Sequence, residues 1–159
     1  MGQKVNPNGF RIGITHTWPS IWFAKGRKYR ENLIQDVQLK RYIMTKMKDA
    51  GIAEILIERE KKTNVKIRTS KPGVLIGKQG AAIEDLEKDL NKRFSSNFHV
   101  EVEEIRSPDS EAAIIGETIK GQIERRMPYR RAVKMAIEKA MQAGAIGIKV
   151  TVSGRLNGA

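Results

Sequence analysis

Between Pro72 and Phe94 a helical pattern is broken once, by Gly77-Lys78-Gln79-Gly80, and that break constrains the fold of this 159-residue chain more than any other feature. Pro72 to Ile76 suits a short helix; Ala81 to Phe94 resumes with Ile83, Leu86, Leu90 and Phe94 on one face. Two glycines in four residues let backbone N–H groups approach a phosphate closely, at helix ends whose dipoles favour anions, and Lys78 adds a mobile cation. In isolation the same Gly-x-x-Gly is also the make-up of a plain turn. Nucleotide-binding loops fail on spacing. Three residues, not four, separate Gly73 from Gly77, Gln79 stands where Ser or Thr should follow Lys78, and no Gly-x-Gly-x-x-Gly occurs in the segment.

The flanking periodicities set the loop in a larger pattern. Upstream, Leu39, Ile43, Met47 and Ala50 recur at helical spacing, with Asp36 the expected N-cap and Gly51 the stop. Ile52 to Glu60 and Asn64 to Thr69, rich in β-branched residues around Lys61-Lys62-Thr63, read as a hairpin. Downstream, His99 to Ile105 alternates Val100 and Val102 with Glu101 and Glu103, as a half-buried strand does. The order is α-β-β-α-α-β. Ser107-Pro108-Asp109 then starts a helix with a cap and a proline at its first position; Ala112, Ile115, Ile119 and Ile123 form its apolar stripe, and Pro128 ends or kinks it. A last helix from Tyr129 to Ala143 buries Ala132, Ala136 and Ala140, Gly144 stops it, and Ile146, Ile148, Val150 and Val152 make one face of a final strand. That second unit, α-α-β, is incomplete, because a single strand leaves its backbone groups unpaired. The fold class is therefore α+β, divided into an arm (1–32), an α-β-β-α-α-β domain (33–106) and the first part of a second α/β domain (107–159).

Charge says what such a fold would meet. Thirty Lys and Arg against 18 Asp and Glu give a formal charge of +12, which points first to a polyanion. The excess sits in residues 1–48 (+8) and 119–159 (+7), separated by an acidic stretch over 81–118 (−6) that suits a solvated face or a basic protein neighbour. The arm is rich in Gly, Pro and Asn and interleaves Phe10, Trp18, Trp22, Phe23 and Tyr29 with Lys4, Arg11, Lys25, Arg27, Lys28 and Arg30. Such aromatics can stack on bases, and they can equally dock the arm onto the core. In Glu124-Arg125-Arg126-Met127-Pro128-Tyr129-Arg130-Arg131-Ala132-Val133-Lys134, four arginines crowd a junction between helices, and Arg130, Arg131 and Lys134 share one helical face. Like charges this close favour an anion opposite, and guanidinium forks suit phosphates, so the expected readout is backbone rather than base sequence.

Other chemistry is poorly supplied. Cysteine is absent, which excludes disulfides, zinc fingers and thiol catalysis, and neither His16 nor His99 has a second ligand at metal spacing. No nucleophile–base pair is present, so no enzyme, metal or cofactor is expected. No apolar run approaches the roughly 20 residues of a membrane span, and the N-terminus lacks a signal peptide's apolar region. Asn6 also stands where a Gly2 myristoylation pattern needs Ser or Thr. The expectation is a soluble intracellular protein.

With its α-β-β-α-α-β order and the Gly77–Gly80 loop, residues 33–106 resemble the K-homology (KH) fold in its second topological type, whose loop clamps about four nucleotides of single-stranded backbone. The likeness extends along the chain. Residues 1–14 (MGQKVNPNGFRIGI), Trp22 to Ala24, Ile76 to Gly80, Glu124 to Arg126, Arg130 to Ala132, Gly147 to Val150 and Ser153 to Leu156 together resemble the bacterial-type family of small-subunit ribosomal protein number three.

That resemblance implies a non-enzymatic subunit of the small-subunit head, in the ribosome of the cytoplasm or of an organelle. It binds ribosomal RNA and helps form the messenger RNA entry channel, where messenger structure is passively unwound. It implies RNA binding by Gly77, Lys78, Gln79 and Gly80; messenger entry past Arg130, Arg131 and Lys134, with Arg125 and Arg126 beside them; and ribosomal RNA contacts from Gly2, Gln3, Lys4, Arg11, Lys25, Arg27 and Lys28. The implied protein neighbours are small-subunit proteins number ten and fourteen in the head and four and five near the channel; a membrane or a small-molecule substrate is not implied. The residues alone leave open a free-standing KH regulator of single-stranded RNA. Two departures stand out: Asn6 replaces a His common in the family's arm, and the family usually continues beyond Ser-Gly-Arg-Leu with strands that complete the second domain, so a C-terminal truncation is expected at Ala159.

Overall fold

The computed structural model describes residues 2–94 and 96–156; Met1 and residues 157–159, where the sequence places the ends of the arm and of the second domain, lie outside them. The arm opens with a one-turn helix, α1 (Pro7–Arg11), capped by Asn6, whose side chain accepts from the N–H groups of Asn8 and Gly9. A two-residue strand β1 (Ser20–Ile21) leads into the long helix α2 (Gly26–Lys46). Strands β2 (Ile52–Arg59) and β3 (Thr63–Thr69) form the hairpin. Helix α3 (Pro72–Ile76), the glycine loop and helix α4 (Ala81–Phe94) then cross to β4 (Phe98–Glu104). Helices α5 (Ala112–Glu124) and α6 (Tyr129–Gln142) follow. From α2 to β4 this is the α-β-β-α-α-β order of the KH fold, and the class is α+β.

The sheet runs β1-β2-β3-β4, with β2 antiparallel to β3 and both edge strands parallel to their neighbours. Parallel β3 and β4 need a crossover, which α3 and α4 supply. Period-two burial puts Ile55, Ile57, Val65, Ile67, Phe98 and Val100 on one face, against Leu39 and Ile43 of α2, Leu75 of α3, and Leu86 and Leu90 of α4. Each such side chain contributes about 1.5–3 kcal/mol on burial. Helix α5 packs on β2 and on α6, but the second unit buries far less: Ile119 and the three alanines Ala132, Ala136 and Ala140. Arg68 of β3 joins the two, 3.3 Å from Glu54, 3.9 Å from Glu103 and 3.9 Å from Glu111, the residue before α5. No helix of the described residues is long and apolar enough to cross a membrane.

Four sequence expectations are corrected. Asp36 caps nothing. It lies buried inside α2, which begins ten residues earlier at Gly26, and its carboxylate accepts from Trp22 Nε1 (2.7 Å) and from Arg59 Nε (3.0 Å). At its other end α2 stops at Lys46, and the chain tightens into a 3₁₀ turn (Lys48–Ala50) before Gly51 turns it at φ 63°. Ser107 does not cap α5, because a 3₁₀ turn at Pro108–Ser110 intervenes. The segment expected as a final strand keeps a strand's alternation only from Ile148, with Ile148, Val150 and Val152 half-buried and Lys149 and Thr151 exposed; Ile146, expected on the same face, is fully exposed, and among the described residues the segment has no ladder partner. The hydrophobic pattern is written into the segment itself, whereas pairing needs a second strand.

Candidate nucleic-acid interface

The glycine loop is shaped by its backbone. Gly77 adopts φ 70°, ψ −172°, a region essentially reserved for glycine, and a Cβ there would stand 2.7 Å from that of Ala82. Gln79 and Gly80 follow at φ 55° and 84°. Gly80 faces open space, so its requirement is conformational only. These turns push Lys78 and Gln79 into solvent at the start of α4, where the helix dipole is positive. The helix behind the loop is held by Lys46 of α2, which donates to Asp89. That contact raises the Lys46 pKa and lowers that of Asp89.

The junction between α5 and α6 is shaped by side chains. Helix α5 ends in a Schellman motif: Met127 N–H donates to Gln122 C=O (3.0 Å) and Arg126 N–H to Ile123 C=O (2.9 Å). Arg126 thereby occupies, at φ 62°, the left-handed position that glycine normally fills. Helix α6 ends in the same motif with Gly144 at that place, φ 90°. Pro128 then starts α6, and burial of Ala132, Ala136 and Ala140 turns Arg130, Arg131 and Lys134 outward. Arg125, Arg126, Arg130, Arg131 and Lys134 are all exposed, and none joins an ion pair among the described residues. Arg130 Nε donates to the Tyr129 hydroxyl (3.1 Å), a contact that raises the guanidinium pKa.

In the arm, Gly2, Gln3, Lys4, Arg11, Lys25 and Lys28 are exposed, while Arg27 is paired with Glu31 at 2.8 Å. The aromatics divide. Trp22 docks, bonded to Asp36 and packed on Tyr29 with ring centroids 5.4 Å apart; Phe10, Trp18 and Phe23 stay in solvent. The sequence left both roles open, and burial of one residue among five separates them. Arg126's backbone state had no sequence signal, because the usual marker of this helix ending is the glycine it lacks. Among the described residues no group of three or more His, Cys, Asp and Glu side chains could hold a metal ion. His99 instead meets Glu87 at 3.0 Å.

A glycine-turned loop between two helices, on an α-β-β-α-α-β domain flanked along the chain by cationic segments, defines an RNA-binding protein of the KH class. Comparison with known families agrees: the model described as KH domain matches residues 38–110, and that described as Ribosomal protein S3, C-terminal domain, matches residues 119–159. Across its whole length the chain is 48% identical to small ribosomal subunit protein uS3 of Enterococcus faecalis and 46% identical to that of Ligilactobacillus salivarius, covering 73% of each. It is also 46% identical to uS3 of Ruegeria sp., covering 67%. The chain belongs to the uS3 family of small ribosomal subunit proteins, which are structural and not enzymes.

Proposed function

We propose that this protein is a structural subunit of the small ribosomal subunit's head, holding ribosomal RNA through its arm (1–32) and KH domain (33–106). In this reading the start of its second domain (107–159) lines the path by which messenger RNA enters. Arg130, Arg131 and Lys134, flanked by Arg125 and Arg126, hold messenger phosphates. The Gly77–Gly80 loop and Gly2, Gln3, Lys4, Arg11, Lys25, Arg27 and Lys28 serve ribosomal RNA. The carrying observation is the set of five exposed cations around the α5–α6 junction without a carboxylate partner among the described residues. Such crowding is unfavourable by itself and becomes favourable against a polyanion. Unwinding is passive: the cations grip single-stranded backbone while translocation supplies the work. Small-subunit proteins ten and fourteen in the head, and four and five near the channel, are the proposed protein neighbours.

The test replaces Arg130, Arg131 and Lys134 together by Ala in ribosomes. The variant is expected to assemble and to sediment with the small particle, and to translate structured messengers more slowly than unstructured ones. Equal relative speed on both templates would contradict the role.

A further inference from the structure

Residues 19–22 are held to the edge of the sheet at three points. Pro19 C=O accepts from Ile57 N–H (3.2 Å) and from Lys40 Nζ (3.3 Å), Ser20 and Ile21 pair with β2, and Trp22 Nε1 reaches Asp36. Lys40 is drawn partly out of water here, and that burial lowers its pKa. From Ser20 onward the chain alternates: Ser20, Trp22 and Ala24 turn inward, while Ile21, Phe23 and Lys25 face solvent. Phe23 is 84% exposed and Trp18, just before the pinned stretch, 63%. Lys25 Nζ lies 6.0 Å from the centre of the Phe23 ring. Phe23 is thus presented on backbone that is already ordered, and Trp18 directly precedes the first anchor at Pro19, so engaging the rings costs little further conformational entropy.

We propose that Trp18 and Phe23 form a stacking surface for unpaired RNA bases, an inference that rests on the RNA-binding reading above and names what this edge of the molecule takes. Charge selects this occupant over an apolar protein surface. Lys25, Lys28 and Arg30 have no ion pair among the described residues; of the acids nearby, Glu31 is engaged by Arg27 and Glu58 lies opposite Ile21 in the ladder, which leaves the cations in excess along this edge. A protein interface over the rings would have to desolvate those charged groups, whereas a nucleic-acid strand supplies phosphates for the cations and π-faces for the rings.

The experiment titrates the full chain with single-stranded oligouridylate, and with an RNA duplex of equal length, following tryptophan emission and affinity. Stacking on Trp18 quenches emission with the single strand and not with the duplex, and Trp18→Phe removes most of the quench. Trp18→Ala and Phe23→Ala each weaken single-strand binding by about ten-fold and leave the salt slope unchanged, because stacking involves no counterion release. Tight binding with unaltered emission and unchanged variant affinities would overturn the stacking surface while sparing the RNA reading; absence of any RNA binding by the wild-type chain would overturn both. Both positions are exposed, so thermal unfolding of the variants is expected to match wild type.

Discussion

The loop at Gly77–Gly80 stands on a filled core and carries one cation; the junction at Arg125–Lys134 stands on three alanines and an isoleucine and carries five. Both hold a non-glycine residue in the left-handed region, Gln79 at φ 55° and Arg126 at φ 62°. At the loop, flanking glycines turn the chain so that its backbone is available to a ligand. At the junction, helix faces and a Schellman turn aim guanidiniums, and the backbone only carries them. A backbone-built site is fragile to changes of shape and tolerant of changes in charge, while a side-chain-built site behaves in the opposite way.

The strongest way to break this contrast is Gly77→Ala. The new Cβ meets Ala82 and the backbone conformation is one that alanine scarcely adopts, so we expect a loss of about 3 kcal/mol or more in denaturant unfolding. A cost within error of zero would show the loop to be pliable. Arg126→Gly sharpens the contrast from the other side. Relief of the left-handed strain should stabilise the fold by about 1 kcal/mol, while RNA affinity falls through loss of a phosphate contact. Stabilisation without weaker binding would place Arg126 outside the interface.

A smaller effect is expected from Asp89→Asn, which removes the Lys46 contact behind the loop. The Asp89 pKa is lowered by Lys46, so its contribution is present above the usual carboxylate value near 4 and is lost as pH falls through the lowered folded value. The Lys46 pKa is raised by the same partner, so its contribution is present below the ordinary lysine value and lost as pH rises through the raised one. The variant's melting temperature should therefore lie slightly below wild type at pH 7 and converge with it once the pH falls below the lowered Asp89 value. A gap that persists in acid would assign the effect to packing.

What the sequence made legible follows from how local each signal is. Helix α4 has the bounds its periodicity predicts, because the apolar stripe lies within it and Gly80 immediately precedes its first residue. Asp36 was misread because an acid before an apolar stripe has the composition of a cap. What distinguishes it is Arg59, 23 residues on, and Trp22, 14 residues back. The segment 146–152 shows the same divide between a local pattern and a distant partner. The cationic cluster was legible because i, i+3 and i, i+4 spacing fixes a helix face; the turn that feeds it was not, because Arg126 takes a conformation its side chain disfavours.

The central claim is that the cations of the α5–α6 junction bind RNA phosphate. The direct measurement is the slope of log affinity against log salt for single-stranded RNA, compared between the wild-type chain and the variant carrying Arg130→Ala, Arg131→Ala and Lys134→Ala. Three lost contacts should make the slope shallower by about 2, at about 0.7 per phosphate. Identical slopes, in a variant that unfolds at the wild-type temperature, would contradict the account.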